Sequence, residues 1–324
     1  MKEPLGKEAL PMSKEWTPVI AIHGGAGIIL KEKMGAKLEG EYRDTLKTSL
    51  ETGYGLLQAG KSSLEAVEKA IIVMEDSPLF NAGRGAVFTH GEEHELDAGI
   101  MDGNALKAGA VAMVQGIKNP ISLSRTIMEQ SDHVLLGGAG AEHFAVQQGF
   151  ELVEKDYFST EFRLNQLQEA KKNKAITLDH TPLGGTKELG TVGAVALDNR
   201  GNLAAGISTG GMTNKLAGRI GDSAIIGAGF YANNATCAVS TTGYGEYFMR
   251  NVVGYDLSAL MEYKSLSLRD AASIVNERMK VKNRYGGLIA VDKHGDIVMP
   301  FSSKGMYRGY VDEAGQVTVE IYKD

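Results

Sequence analysis

The stretch "KELGTVGAVALDNRGNLAAGISTGG", Lys187–Gly211, decides how this chain is read. Two apolar runs flank the turn "DNRGN", the pattern of a β-hairpin buried on both faces. The first run opens on Gly190-Thr191, at the end of the polar tract "KKNKAITLDHTPLGGTKELG" (171–190), which contains three glycines, Gly190 among them, and a proline. That tract is expected to be an exposed linker. A threonine at a strand mouth is usually only a β-branched residue in its preferred place. A second property makes this one a candidate. An N-terminal threonine carries its own base, because an α-amine has a pKa of about 7.7–8.0 and is partly neutral at neutral pH. A mid-chain threonine gains that amine only if the preceding bond is cut. Gly190 offers little steric block at the scissile carbonyl, the strand fixes Thr191, and the linker can leave.

Working outward, the chain has 324 residues, room for one large domain or two ordinary ones. The net charge of −6 argues against a nucleic-acid surface, and no run approaches 18 apolar residues, so no membrane span is expected. The single Cys237 excludes an intramolecular disulfide and fits a reducing, cytoplasmic setting. The first 17 residues are expected to form a flexible arm; their charges and prolines do not make a signal peptide.

A strand is expected over Pro18–Gly27, then a helix over 41–60 that ends at Gly60, and a second helix opened by the capping box Ser62/Glu65. A strand-rich block follows over 85–116, then helices near 120–131, 140–148 and 160–173. After the hairpin come a glycine-rich loop (210–229), a strand at "CAVSTTG", helices over 245–263 and 267–280, and a closing hairpin over 286–305. Strands and helices fall in blocks, which favours an α+β fold with antiparallel sheets over a doubly wound parallel sheet.

Two motif matches are set aside. "GLLQAGKS", Gly55–Ser62, satisfies the P-loop pattern, but its first half belongs to a helix, whereas a P-loop follows a strand. "HGEEH", His90–His94, satisfies a zinc-peptidase pattern that requires a helix, whereas Gly91 suggests a turn. "HGGAG" and "GGAGAEHF" do not complete a dinucleotide fingerprint.

Further residues gather around Thr191. Thr209, in "ISTGGMTNK", lies on the partner strand of the hairpin. Arg219 and Asp222, in "AGRIGDS", offer a cation and an anion, as the carboxylate and ammonium of an α-amino acid require, although such a pair is commonly a surface ion pair. Thr242 and Gly243, in "STTGYGE", offer a hydroxyl and a backbone N–H at a strand end, either an oxyanion hole or an ordinary glycine turn.

Together "AIHGGAG", "PLFNAGRGAVFT", "ELDAGIMDGN", "GTVGAVALD", "STGGMTNKLAGRIGDS", "GAGFYANN" and "STTGYGE" resemble the plant-type (type III) L-asparaginase / isoaspartyl peptidase family of N-terminal nucleophile hydrolases, from about Pro18 to "GMYRGY". The resemblance implies a four-layer α/β/β/α sandwich, with an α-subunit ending at Gly190 and a β-subunit beginning at Thr191. Thr191 would be the nucleophile, freed by autocatalytic cleavage, and Thr209 would hydrogen-bond it. Thr242 and Gly243 would form the oxyanion hole. Arg219 would hold the substrate α-carboxylate and Asp222 its ammonium, helped by backbone at Gly243 and Gly245. Asn81 would orient the nucleophile's amine. The loop around "MEDSPLFNAGR" would bind a structural sodium ion through carbonyls of Met74, Glu75, Ser77, Phe80, Ala82 and Arg84, with no cofactor for the chemistry. L-Asparagine and β-aspartyl dipeptides would be substrates, and the assembly a dimer of α/β heterodimers. Alternatives are a glycosylasparaginase-type amidase and, from another class, a P-loop nucleotide-binding protein.

Overall fold

The computed structural model describes residues 16–173, 190–281 and 286–323. The expected linker over 171–190 and the arm over 1–17 lie largely outside them. Trp16 is described and docked: its Nε1 donates to Lys293 O at 3.2 Å and its ring lies against Gly201.

An eight-stranded sheet forms the centre. Its strands are β1 (Val19–Gly27), β2 (Leu96–Asp102), β3 (Lys107–Val114), β4 (Leu135–Gly137), β5 (Val192–Leu197), β6 (Leu203–Thr209), β11 (Gly305–Val311) and β12 (Val317–Tyr322), in spatial order β12-β11-β1-β5-β6-β2-β3-β4. A four-stranded sheet, β10-β9-β8-β7, is built from β7 (Phe230–Ala232), β8 (Cys237–Gly243), β9 (Gly286–Asp292) and β10 (Ile297–Val298). Every pairing is antiparallel except that of β3 with β4.

Helices α1 (Ala36–Gln58), α2 (Ser63–Glu75) and α3 (Pro120–Gln130) cover one face of the large sheet, and the small sheet covers the other. Helices α7 (Val253–Lys264) and α8 (Leu268–Val281) cover the outer face of the small sheet. The result is the expected α/β/β/α sandwich. Helix α4 (Gly138–Gln147) packs against β3 and β4 of the large sheet, α5 (Glu161–Lys172) is tied through Arg163 Nε to Gly85 O at 2.7 Å, and α6 (Gly245–Asn251) follows β8.

The central strands are apolar without alternation because both of their faces are buried. In β1, Ile20 and Ile22 face the helices, while Val19 and Ala21 face the second sheet. In β5, Val192, Ala194 and Ala196 take the helix side and Val195 and Leu197 the sheet side. Each large apolar side chain so buried contributes about 1.5–3 kcal/mol.

The helix–turn–helix at Gly60 is as expected. Helix α1 ends at Gln58, Gly60 sits at φ +76, and the Ser62 hydroxyl caps α2 by accepting from Glu65 N at 3.2 Å. Helix on both sides of Gly60 removes the P-loop alternative. His90 and His94 flank a turn closed by Thr89 N donating to Glu93 O at 2.7 Å, so they share no helix face.

Three local expectations need correction. Residues 86–88 are buried but are not a strand; their backbone serves the site instead, Val87 N donating to Asn81 Oδ1 and Phe88 O accepting from Asn214 N. The helix over 245–263 is two helices, broken where Val252 takes a left-handed φ of 47°. Strands β4, β7, β11 and β12 were not anticipated. β4 is three half-exposed residues, and β11 mixes glycine, arginine and tyrosine.

Candidate active site

The hairpin places its two threonines side by side. Val192 pairs with Ser208, so Thr191, one residue before β5, meets Thr209, the last residue of β6. Thr191 Oγ1 donates to Thr209 Oγ1 at 3.1 Å, and Thr209 Oγ1 also accepts from Gly211 N at 3.0 Å. The chain is uncut here, and Thr191 N is a peptide nitrogen that cannot act as a base. The only oxygen bonded to the Thr191 hydroxyl among the described residues is therefore that of Thr209.

Both threonines line a pocket with Gly190, Gly211, Met212, Arg219, Gly221, Asp222, Ser223 and Gly243. The two charged groups thus share a cavity with Thr191. Asp222 is buried, its Oδ2 accepts from Thr241 Oγ1 at 2.9 Å, and burial pushes its carboxyl up to about 6 against the pull of Arg219. Arg219 donates from Nε and Nη2 to Glu246 Oε1 at 3.0 and 2.9 Å. Gly245 permits this approach: a Cβ there would stand 2.8 Å from Asp222 Oδ1 and 2.9 Å from Arg219 Nη2.

On β8, Thr242 is fully buried and its hydroxyl has no hydrogen-bond partner among the described residues. An orphaned buried hydroxyl costs free energy unless something is bound to it. Gly243 beside it lines the pocket at φ +152, a conformation suited to glycine.

Asn81 sits behind this group. Its Nδ2 donates to Gly211 O at 2.7 Å, its Oδ1 accepts from Val87 N at 3.0 Å, and its carbonyl accepts from Gly210 N at 3.0 Å. It holds the turn after Thr209, and no bond from it to Thr191 is present among the described residues.

The loop from Met74 to Arg84 brings carbonyls together. A Cβ at Gly83 would stand 2.3 Å from Glu75 O; one at Gly85 would stand 2.2 Å from Phe80 O and 2.6 Å from Pro78 O. Gly83, at φ +50, and Gly85 thus leave a cradle of carbonyl oxygens that fits a hard cation. The Met74 carbonyl accepts from Ser77 N and the Ala82 carbonyl from Gly85 N, both at a long 3.3 Å.

Four neighbours were not anticipated. His23, in mid-strand β1, bonds Thr191 O through Nδ1 and Ser240 Oγ through Nε2, both at 3.0 Å. Burial holds His23 down at about 3, so the ring is neutral. A carbonyl can only accept, so Nδ1 carries the proton and Ser240 donates to Nε2. Ser223 lines the pocket with an unpartnered buried hydroxyl, and Glu246 holds Arg219. A histidine inside an apolar run, "AIHGG", was the one available signal for His23.

A family model described as asparaginase matches residues 16–321. The chain is 52% identical over 309 residues to the isoaspartyl peptidase of Escherichia coli (strain K12), covering 94% of this chain and 96% of that protein. It is 40% identical over 324 residues to the probable isoaspartyl peptidase/L-asparaginase 2 of Arabidopsis thaliana, covering 94% and 98%. It is 41% identical over 291 residues to the isoaspartyl peptidase/L-asparaginase of Homo sapiens, covering 89% and 91%. The match along nearly its whole length, on an α/β/β/α sandwich, places the chain in the isoaspartyl peptidase/L-asparaginase family of N-terminal nucleophile hydrolases.

Proposed function

We propose that the chain is an isoaspartyl peptidase/L-asparaginase that matures by cutting its own Gly190–Thr191 bond. The observation that carries this reading is the Thr191–Thr209 hydroxyl pair in a pocket shared with Arg219 and Asp222. In the uncut chain the Thr191 hydroxyl attacks the Gly190 carbonyl carbon and Thr209 Oγ1 receives its proton. The proton passes on to the departing Thr191 nitrogen as the C–N bond breaks, the acyl group moves from nitrogen to oxygen, and water hydrolyses the ester, freeing the Gly190 carboxylate and the Thr191 hydroxyl. Gly190 itself lines the pocket, so cleavage also clears space for substrate.

In the mature enzyme the new α-amine is the base. Thr191 Oγ attacks the side-chain carbonyl of the aspartyl unit and the developing oxyanion meets the Thr242 hydroxyl and Gly243 N–H. The C–N bond breaks, the leaving amine takes the proton, and water releases L-aspartate from the ester. Arg219 binds the α-carboxylate. Asp222 binds the α-ammonium, alongside backbone at Gly243 and Gly245. Asn81 orients the amine through the turn it already holds.

A sodium ion held by carbonyls of the Met74–Arg84 loop would stiffen the turn that presents Asn81; it supplies structure rather than chemistry. A dimer of α/β heterodimers and a cytoplasmic setting complete the reading. Among the described residues no helix is long and apolar enough to cross a membrane.

The test is aspartate release from L-asparagine, β-aspartyl-leucine and N-acetylglucosaminyl-asparagine, assayed side by side. Release from the first two supports the reading. Release from the third alone makes the chain a glycosylasparaginase-type amidase, and release from none removes the reading.

A further inference from the structure

Two carboxylates behind the pocket hold the loop that presents Arg219 and Asp222. Glu95, just before β2, and Asp97, within it, are 6% and 0% exposed. Glu95 accepts Gly218 N through both oxygens, at 3.1 and 3.0 Å. Asp97 accepts Gly221 N through Oδ2 at 3.4 Å and Met113 N through Oδ1 at 2.9 Å. Gly218 immediately precedes Arg219, and Gly221 immediately precedes Asp222. Each substrate-binding side chain therefore follows an amide fixed to a separate buried carboxylate, the two lying two residues apart at the start of β2.

Lys215, fully buried, supplies the matching cation. Its Nζ donates to Glu95 O at 2.8 Å and stands 4.0 Å from Glu95 Oε2. It runs beneath Gly211, where a Cβ would stand 2.9 Å from Nζ. Burial pushes the Asp97 carboxyl up and the Lys215 ammonium down, and their mutual attraction opposes both shifts. Asp97 is also the register partner of Thr209 on β6, so the cluster ties the nucleophile's neighbour to the substrate loop. None of the three residues lines the pocket. Buried ion pairs add little net stability but fix the position of whatever they bind.

We propose that Glu95 and Asp97, with Lys215 buried between them and the turn at Gly211, are positioning residues that set the spacing between Arg219 and Asp222 and thereby enforce recognition of an α-amino acid. The inference rests on the proposed amidohydrolase reading. It assigns each carboxylate to one end of the ligand: Glu95 acts through Arg219 on the α-carboxylate, and Asp97 acts through Asp222 on the α-ammonium.

The experiment measures inhibition of L-asparagine hydrolysis by L-aspartate, by succinate, which lacks the ammonium, and by β-alanine, which lacks the α-carboxylate. Wild type is compared with Asp97→Ala and Glu95→Ala. Asp97→Ala is expected to weaken L-aspartate and β-alanine about tenfold and leave succinate unchanged. Glu95→Ala is expected to weaken L-aspartate and succinate and leave β-alanine unchanged. KM for L-asparagine rises in both, while kcat and fragment formation stay near wild type. Asp97→Asn and Glu95→Gln keep an acceptor for the amide and recover most of the loss. If an alanine variant does not mature, the amide variants show the same ligand pattern in weaker form. Equal weakening of all three ligands, or a loss confined to kcat, overturns the proposal. Wild type that releases no aspartate overturns the reading beneath it instead.

Discussion

Replacing Asp222 by asparagine separates what the site needs from what the fold prefers. Burial pushes the Asp222 carboxyl from its ordinary 3.8 up to about 6, net of the Thr241 hydrogen bond and the pull of Arg219. A raised carboxyl pKa means that the folded chain binds this proton more tightly than the unfolded chain does. Folding is therefore favoured below 3.8, and that advantage is lost as pH rises through about 6. At neutral pH the buried charge costs about 3 kcal/mol, at 1.36 kcal/mol per pH unit between the two values. Asparagine is nearly isosteric, keeps an acceptor for Thr241, and carries no charge. In a Thr191→Ala background, which is expected to keep the chain uncut, Asp222→Asn is expected to raise Tm by a few degrees at pH 7.5 and by about half as much at pH 5. In the active background the same change should lower kcat/KM for L-asparagine at least about a hundredfold, because the substrate ammonium loses its counter-ion. Wild-type kcat/KM should fall once as the Thr191 amine takes up its proton, near its ordinary value of about 7.7–8.0, and more steeply below about 6, as Asp222 takes up its own. A variant that is less stable at pH 7.5, or a Tm difference that does not change between pH 5 and 7.5, refutes this reasoning.

Thr242→Val removes an unpartnered buried hydroxyl. It should lower kcat about 10²–10³-fold, with KM and Tm little changed, by steady-state kinetics and melting. Gly193→Ala puts a Cβ 2.1 Å from Ser240 Oγ and 2.4 Å from His23 Nε2, where no side chain fits. It should break the His23–Ser240 bond, destabilise by about 1–3 kcal/mol in urea titrations, and slow fragment formation. Gly245→Ala drives a methyl group between Asp222 and Arg219. It should raise KM for L-asparagine about tenfold while sparing fragment formation, measured on gels and by initial rates.

The sequence made the central hairpin legible because β5 and β6 are apolar on both faces and their turn is rich in Asp, Asn and Gly. Thr191, Thr209, Arg219 and Asp222 were legible as chemistry because each sits in a short polar interruption of an apolar or glycine-rich run. Their convergence on one pocket was not, since the loop after β6 must fold back through Lys215 and Asp97 to bring Arg219 and Asp222 there. Residues 86–88 misled as a strand because burial and apolar character are the same whether backbone amides serve a ladder or a side chain such as Asn81. The role of His23 depends on a contact 168 residues away in sequence, which no local pattern encodes.

The most direct test of the central claim is intact-mass spectrometry of the purified wild-type protein over time, beside Thr191→Ala. Wild type should convert from the 324-residue chain to fragments 1–190 and 191–324, with Thr191 as the new N-terminus, and activity should rise with their appearance. Thr191→Ala should stay uncut and inactive. A wild-type chain that remains intact through long incubation yet hydrolyses L-asparagine at full rate would contradict the account.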